Sequence, residues 1–205
     1  MSEKRASGPT GATRPASSKP RSAPEPRPAP PEAAPLFAVR SHAFGQGLYA
    51  LREIAPGTVL FGEDDWADAT ERESFVTLMT SQFEALPPAR RALFRRFAYN
   101  TAPDAITGTF APDAVRHPTN FTNHSCDPNA GYDGADAIVA LRTIAPGEEI
   151  RMDYGTFTFS FDHAFACRCG AASCRRKVTR HDWRALVRTG LRLPAFMQNH
   201  ANGCA

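Results

Sequence analysis

From Leu36 onward the chain alternates short apolar runs with turn residues, and most runs are too brief for long helices. Leu36-Phe37-Ala38-Val39 predicts a first strand, and Leu48-Tyr49-Ala50-Leu51 a second, just behind Gly45-Gln46-Gly47. The stretch Ala50-Leu51-Arg52-Glu53-Ile54-Ala55-Pro56-Gly57 returns as Ala140-Leu141-Arg142-Thr143-Ile144-Ala145-Pro146-Gly147. In each copy a short strand runs into Ala-Pro-Gly. Proline there presets the first central φ of a turn, and glycine supplies the positive φ of a type II second position. Between the copies the period changes. Thr70-Glu71-Arg72-Glu73 fits a capping box, and Phe75, Leu78, Met79, Phe83 and Leu86 then fall on one helical face. Pro87-Pro88 ends that helix, and residues 89–99 predict a second, basic one. The second copy continues through Ala137–Ile144 to Gly155. Phe157, Phe159 and Phe161 then alternate, as in a strand packing on a core or in the wall of a slot for a flat or aliphatic ligand. Asp182–Val187 predicts a short helix. The pattern describes a mainly β domain of short strands with a helical insert at about residues 70–99.

Composition divides the chain in two. Residues 1–35 hold nine of the 18 prolines, with six basic and three acidic residues, so the whole net charge of +3 lies there. That stretch has too little apolar surface to offset its ordering entropy and is expected to be a disordered Pro/Arg-rich tail. The remaining body is neutral, which argues against a dedicated nucleic-acid site. No apolar run approaches the length of a membrane helix, and the first thirty residues lack a signal-peptide core. A reducing compartment is therefore expected: cytoplasm or nucleus, or a host cell if the protein is a bacterial effector. In such a compartment five cysteines suggest metal ligands or free thiols, and five fits four ligands plus a spare.

The chemistry concentrates in two places. Asn123-His124-Ser125-Cys126-Asp127-Pro128-Asn129 carries an amide, imidazole, hydroxyl, thiol and carboxylate with no apolar period, which suits polar groups facing a ligand or one another. Cys167-Arg168-Cys169-Gly170-Ala171-Ala172-Ser173-Cys174 places three thiols close enough for one tetrahedral zinc. The fourth ligand is open among Cys126, Cys204, His163 and His181, with Cys204, near the last residue, expected to be the spare. Gly45-Gln46-Gly47 permits close backbone approach, but the missing third glycine excludes a dinucleotide fingerprint.

Together these residues resemble the SET-domain protein lysine methyltransferases. Gly45-Gln46-Gly47 with the Ile54-to-Leu60 turn resembles the family's opening segment, and the 123–129 stretch its central Asn-His-Ser-Cys motif. Gly147–Ile150 through Asp153-Tyr154 is similar to its terminal tyrosine motif, and Cys167, Cys169 and Cys174 to its cysteine-rich post-SET segment. The resemblance implies a β-clip of short strands with knot-like threading. It divides the chain into a SET domain at 36–156, a post-SET zinc segment at 157–178, and a C-terminal helix and tail at 179–205. It implies S-adenosylmethionine held by Gly45, Gln46, Gly47, Asn123, His124 and Phe165, with Tyr154 catalytic and Met152, Phe157 and Tyr99 lining the substrate channel. Zinc would be held by Cys126, Cys167, Cys169 and Cys174, tying the lid to the cofactor loop. The implied function is direct methyl transfer to the ε-amine of a lysine on a protein substrate, by a monomer with no membrane attachment. The alternative is a SET-like, zinc-stabilised interaction module without catalysis. The chain departs from the family's pattern in having Met152 where an aromatic is usual, and Asn120-Phe121-Thr122-Asn123 where Arg-Phe-x-Asn is usual.

Overall fold

The structure, a computed structural model, describes residues 34–43, 45–62, 64–65 and 74–203. Phe37–His42 (β1) and Gly45–Ala50 (β2) pair antiparallel along their whole length. Val59–Phe61 (β3) follows the first Pro-Gly turn. Next come Phe75–Met79 (β4), the helices Thr80–Glu84 (α1) and Pro88–Phe94 (α2), and strands Tyr99–Ala102 (β5) and Ala105–Thr109 (β6). Asn123–His124 (β7), Ala130–Tyr132 (β8), Ile138–Ala140 (β9) and Glu149–Met152 (β10) complete the central part. Phe165–Ala166 (β11), Lys177–Val178 (β12) and the helices Trp183–Leu186 (α3) and Ala195–Gly203 (α4) form the C-terminal part.

The two sequence echoes pair with each other. Ile54 and Ile144 exchange backbone hydrogen bonds of 3.0 and 2.9 Å. On one side Ala50 N–H donates to Glu148 O at 2.9 Å, and on the other Ala140 N–H donates to Thr58 O at 3.0 Å. Each bond of one copy thus has a counterpart in the other, and the copies are related by a local two-fold. Both turns have the expected glycine geometry, with φ of 78° at Gly57 and 81° at Gly147. Ile54 and Ile144 are buried with Leu48, Phe61, Ile138 and Ile150 in the main core. Burial of each such side chain contributes roughly 1.5–3 kcal/mol.

The strand order β1-β2-β10-β7 shows the threading. β10 lies antiparallel to β2 and parallel to β7, so a late segment is inserted beside the start of the polar motif. This mainly β arrangement of small sheets is the expected fold class.

The insert differs from the sequence reading. Phe75–Met79 is a strand, and helix begins only at Thr80. Phe75 to Met79 pairs residue for residue with Thr109 to Ala105, and β6 pairs on its other side with β5. The residues Phe-Val-Thr-Leu-Met favour strand, and the sheet supplies partners that a local periodicity cannot reveal. The capping box at Thr70–Glu73 lies outside the described residues, as do residues 1–33 and Cys204. The second helix forms with Pro88 at its first turn but is shorter than the expected 89–99. It ends at Phe94 and closes through a 3-10 turn at Arg95–Phe97, and Tyr99 already belongs to β5, paired with β6. Gly108 of β6 accommodates the helix, since a Cβ there would lie 2.7 Å from the Phe94 ring.

Phe157, Phe159 and Phe161 do not form a strand. The chain crosses between packing groups here, and each ring joins a different one: Phe157 the main core, Phe159 the α3/α4 group, Phe161 the group around Phe83 and Phe94. Strict alternation therefore reflected three destinations rather than one face. α4 was not foreseen; it packs Met197 against Trp183 and Leu193, and its Ala195 N–H donates to Asp136 Oδ1 at 2.7 Å.

Candidate active site and metal centre

β7 is only two residues long, and what fixes the polar motif is its attachment to β10. Ser125 N–H donates to Met152 O at 2.9 Å. Asn129, 2% exposed, donates from Nδ2 to Glu148 Oε1 and Glu149 O at 2.9 and 2.8 Å, and accepts at Oδ1 from Arg151 N–H at 2.8 Å. A buried amide satisfied on both ends acts as a piece of strand. Asn129 is thus a structural clamp, a role the sequence did not show.

At the other end, Asn123 Nδ2 donates to Gln46 O at 2.9 Å and to Glu149 Oε1 at 2.8 Å. This ties the Gly-Gln-Gly segment to the motif. The absence of a side chain at Gly47 makes it possible, because a Cβ would sit 2.5 Å from Glu149 Oε1 and 3.0 Å from Asn123 Nδ2.

His124 uses both ring nitrogens within the protein. Nδ1 accepts from Tyr154 N–H at 3.1 Å, and Nε2 lies 3.4 Å from Cys126 Sγ. Burial lowers its pKa to about 4 despite the opposing pull of Asp153, so the ring is neutral and Nε2–H faces the sulfur. Any contact His124 makes with a ligand is therefore through its ring or backbone. Phe165 and Tyr154 both approach that ring with centroids 5.4 Å away.

Tyr154 follows β10 in a 3-10 turn, with its hydroxyl donating to Thr122 O at 2.9 Å. Burial, with Glu149 nearby, raises its pKa to about 12 and keeps the phenol neutral. Beside it, Asp153 is 1% exposed and receives both ends of the Arg175 guanidinium at 2.6 and 2.7 Å. Arg175 Nε also reaches Asp182 Oδ2 at 2.9 Å, and Thr179 Oγ1 donates to Asp182 Oδ1 at 2.7 Å. Asp153 lies in the terminal tyrosine motif, but no sequence signal marked its pairing or singled out Arg175.

The four expected zinc ligands converge: the sulfurs of Cys126, Cys167, Cys169 and Cys174 all lie within 4.8 Å of one another. Cys126 and Cys167 are 3.8 Å apart, close to the sulfur–sulfur separation of about 3.8 Å that tetrahedral bonds of about 2.3 Å require. Burial works against ionisation of Cys169, yet amides including Cys126 N–H at 3.4 Å, with the neighbouring thiols, bring its pKa down to about 6. Cys126 Sγ receives Arg175 N–H at 3.4 Å. Four soft donors, of which Cys126 and Cys169 already accept backbone N–H bonds, fit a structural zinc. Among the described residues Cys126 is the fourth member of the cluster, and neither His163 nor His181 joins it.

Beside Tyr154 lies a small cleft of about 80 Å³, partly open to solvent, whose walls include Tyr99, Tyr132, Met152, Phe157 and His163. Tyr99, Met152 and Phe157 thus share one cavity with Tyr154. Gly45, Gln46, Gly47, Asn123 and Phe165 do not line it; Asn123 bonds to Gln46 O, and Phe165 joins through the His124 and Tyr154 rings. His163 Nδ1 is buried here without a hydrogen-bond partner among the described residues. Burial, with Arg95 nearby, holds this histidine's pKa at about 4. An unmet buried nitrogen costs about 1–3 kcal/mol. An apolar cleft with one orphaned polar atom fits the binding of a largely apolar ligand carrying few polar groups.

Comparison with known proteins agrees with the geometry. The SET domain family matches residues 45–155, more than half of the chain. The chain is 32% identical over 146 residues to "Histone-lysine N-methyltransferase trithorax" of Drosophila virilis, covering 67% of this chain and 3% of that protein. It is 48% identical over 145 residues to "Histone-lysine N-methyltransferase, H3 lysine-4 specific" of Cryptococcus neoformans var. neoformans serotype D (strain B-3501A), covering 66% and 9%. It is 40% identical over 149 residues to human "Histone-lysine N-methyltransferase 2D", covering 69% and 2%. The chain belongs to the SET domain family of lysine methyltransferases. It corresponds to a small part of each of these much longer relatives. Among the described residues no helix is long and apolar enough to cross a membrane.

Proposed function

We propose that the chain is a zinc-stabilised, S-adenosylmethionine-dependent lysine N-methyltransferase acting on a protein substrate, of the histone type that its relatives' names specify. The observation that carries this reading is the placement of Tyr154: a neutral phenol at an apolar cleft, hydrogen-bonded through its proton to a backbone carbonyl. Gly45, Gln46, Gly47, Asn123, His124 and Phe165 hold the cofactor in this reading, and Cys126, Cys167, Cys169 and Cys174 the zinc. When bound, S-adenosylmethionine supplies an electrophilic sulfonium methyl.

The chain's own residues prepare the nucleophile. A lysine amine has a pKa near 10.4, so fewer than roughly one in a thousand is neutral at pH 7. Walls such as Met152 and Phe157 disfavour the charged form by desolvation. Because Tyr154 spends its proton on Thr122 O, its oxygen is left to accept an amine N–H and to steady the charge that develops. With its pKa near 12 it acts by position and polarity rather than as a base.

The test is incubation of zinc-loaded protein with radiolabelled cofactor and a panel of histones and lysine peptides, with calorimetry of cofactor binding alongside. Label on lysine and measurable cofactor affinity are expected. Cofactor binding too weak to detect in fully metallated protein would replace this reading with that of a non-catalytic interaction module.

A further inference from the structure

We propose that His163 positions the incoming amine, with its Nδ1 accepting an N–H bond from the substrate lysine. This rests on the methyltransferase reading and adds a residue to it. A neutral amine attacking through its lone pair carries two N–H bonds into the cleft, and both need acceptors once water is excluded. The Tyr154 oxygen can serve one of them. The second needs another acceptor on the same wall.

His163 meets three requirements. It lines the cleft with Tyr154, Tyr99 and Met152. Its Nδ1 is buried and has no hydrogen-bond partner among the described residues, so the nitrogen is free for a ligand. Its ring is held in place by edge contacts with Phe161 at 5.6 Å and Phe165 at 5.8 Å, and stands 6.2 Å from the Tyr154 ring. A neutral imidazole has one accepting nitrogen, and burial keeps this one neutral. His163 also lies on the segment between Tyr154 and the first post-SET ligand, Cys167.

The cofactor's α-amine offers the same chemistry, so the experiment separates the two. In zinc-loaded protein, kcat and KM for a lysine peptide are measured together with the cofactor Kd by calorimetry. His163→Phe keeps the ring contacts and removes both nitrogens. His163→Asn keeps an acceptor near the position of Nδ1. The phenylalanine variant is expected to raise peptide KM about ten-fold, the worth of one hydrogen bond, with cofactor Kd within two-fold. The asparagine variant should recover most of that loss, and it preserves the test if the phenylalanine variant folds poorly. Unchanged KM in the phenylalanine variant overturns the proposal, as does equal loss in both variants. A matching rise in cofactor Kd assigns the nitrogen to the cofactor and overturns it too. Wild-type protein that binds cofactor yet labels no lysine removes both this role and the reading beneath it.

Discussion

Replacing Arg175 with methionine is expected to destabilise the chain by about 3–5 kcal/mol, because it strands a buried carboxylate. Asp153 has no exposed side-chain surface, while Arg175 is 24% exposed. Removing the guanidinium deletes two short bonds to Asp153 and the bond to Asp182. Arg175→Lys should recover only part of the loss, since an ammonium cannot reproduce the fork that meets both carboxylate oxygens. The double variant Arg175→Met/Asp153→Asn should be more stable than the single one, because the stranded charge is gone. Denaturant unfolding of zinc-loaded protein measures all three. An unfolding midpoint for Arg175→Met equal to that of wild type would show that the buried pair contributes little.

Tyr154→Phe is expected to lower methyl transfer by about 10²–10³-fold, the usual cost of removing a preorganised polar group from a transition state. The phenyl ring should keep its contacts with His124 and Phe157, whose centroids lie 5.4 and 5.2 Å away. Melting temperature and cofactor affinity should therefore change little, apart from the loss of one hydrogen bond to Thr122 O. A steady-state assay with titrated cofactor separates these effects. Transfer within ten-fold of wild type would remove Tyr154 from the reaction.

What the sequence disclosed follows from the range of the forces involved. The two Ala-Pro-Gly turns were legible because proline and glycine constrain their own φ, and the repeated copies pair because each presents the same donors and acceptors. The cysteine cluster was legible because three thiols at that spacing can meet one ion, although the identity of the fourth needed the resemblance and then the geometry. Phe75–Met79 was misread because its apolar spacing also fits a helix, and only the distant partner Ala105–Thr109 decides for strand. The alternating phenylalanines misled for a related reason: period two reports direction along a strand, not whether the chain is one. Asp153 and Asn129 fall within the two motifs, but their partners, and the role of Arg175, were invisible. A single charged or amide residue carries no signal of the partner that folding brings to it.

In the proposed function, one short motif couples the metal to the cofactor site. Cys126 faces the other three sulfurs, while His124, two residues before it, touches Cys126 Sγ, Tyr154 N–H and the Phe165 ring. Arg175, the residue after Cys174, donates its amide to Cys126 and its side chain to Asp153. Zinc should therefore hold the lid and set the orientation of His124 and Tyr154 together. The most direct measurement is cofactor affinity by calorimetry, on zinc-loaded protein and on protein stripped by a chelator, with circular dichroism confirming that the stripped body remains folded. Cofactor Kd should rise about ten-fold or more on stripping and return on re-addition of zinc. Equal affinity in the two states, with the stripped protein folded, would contradict the coupling.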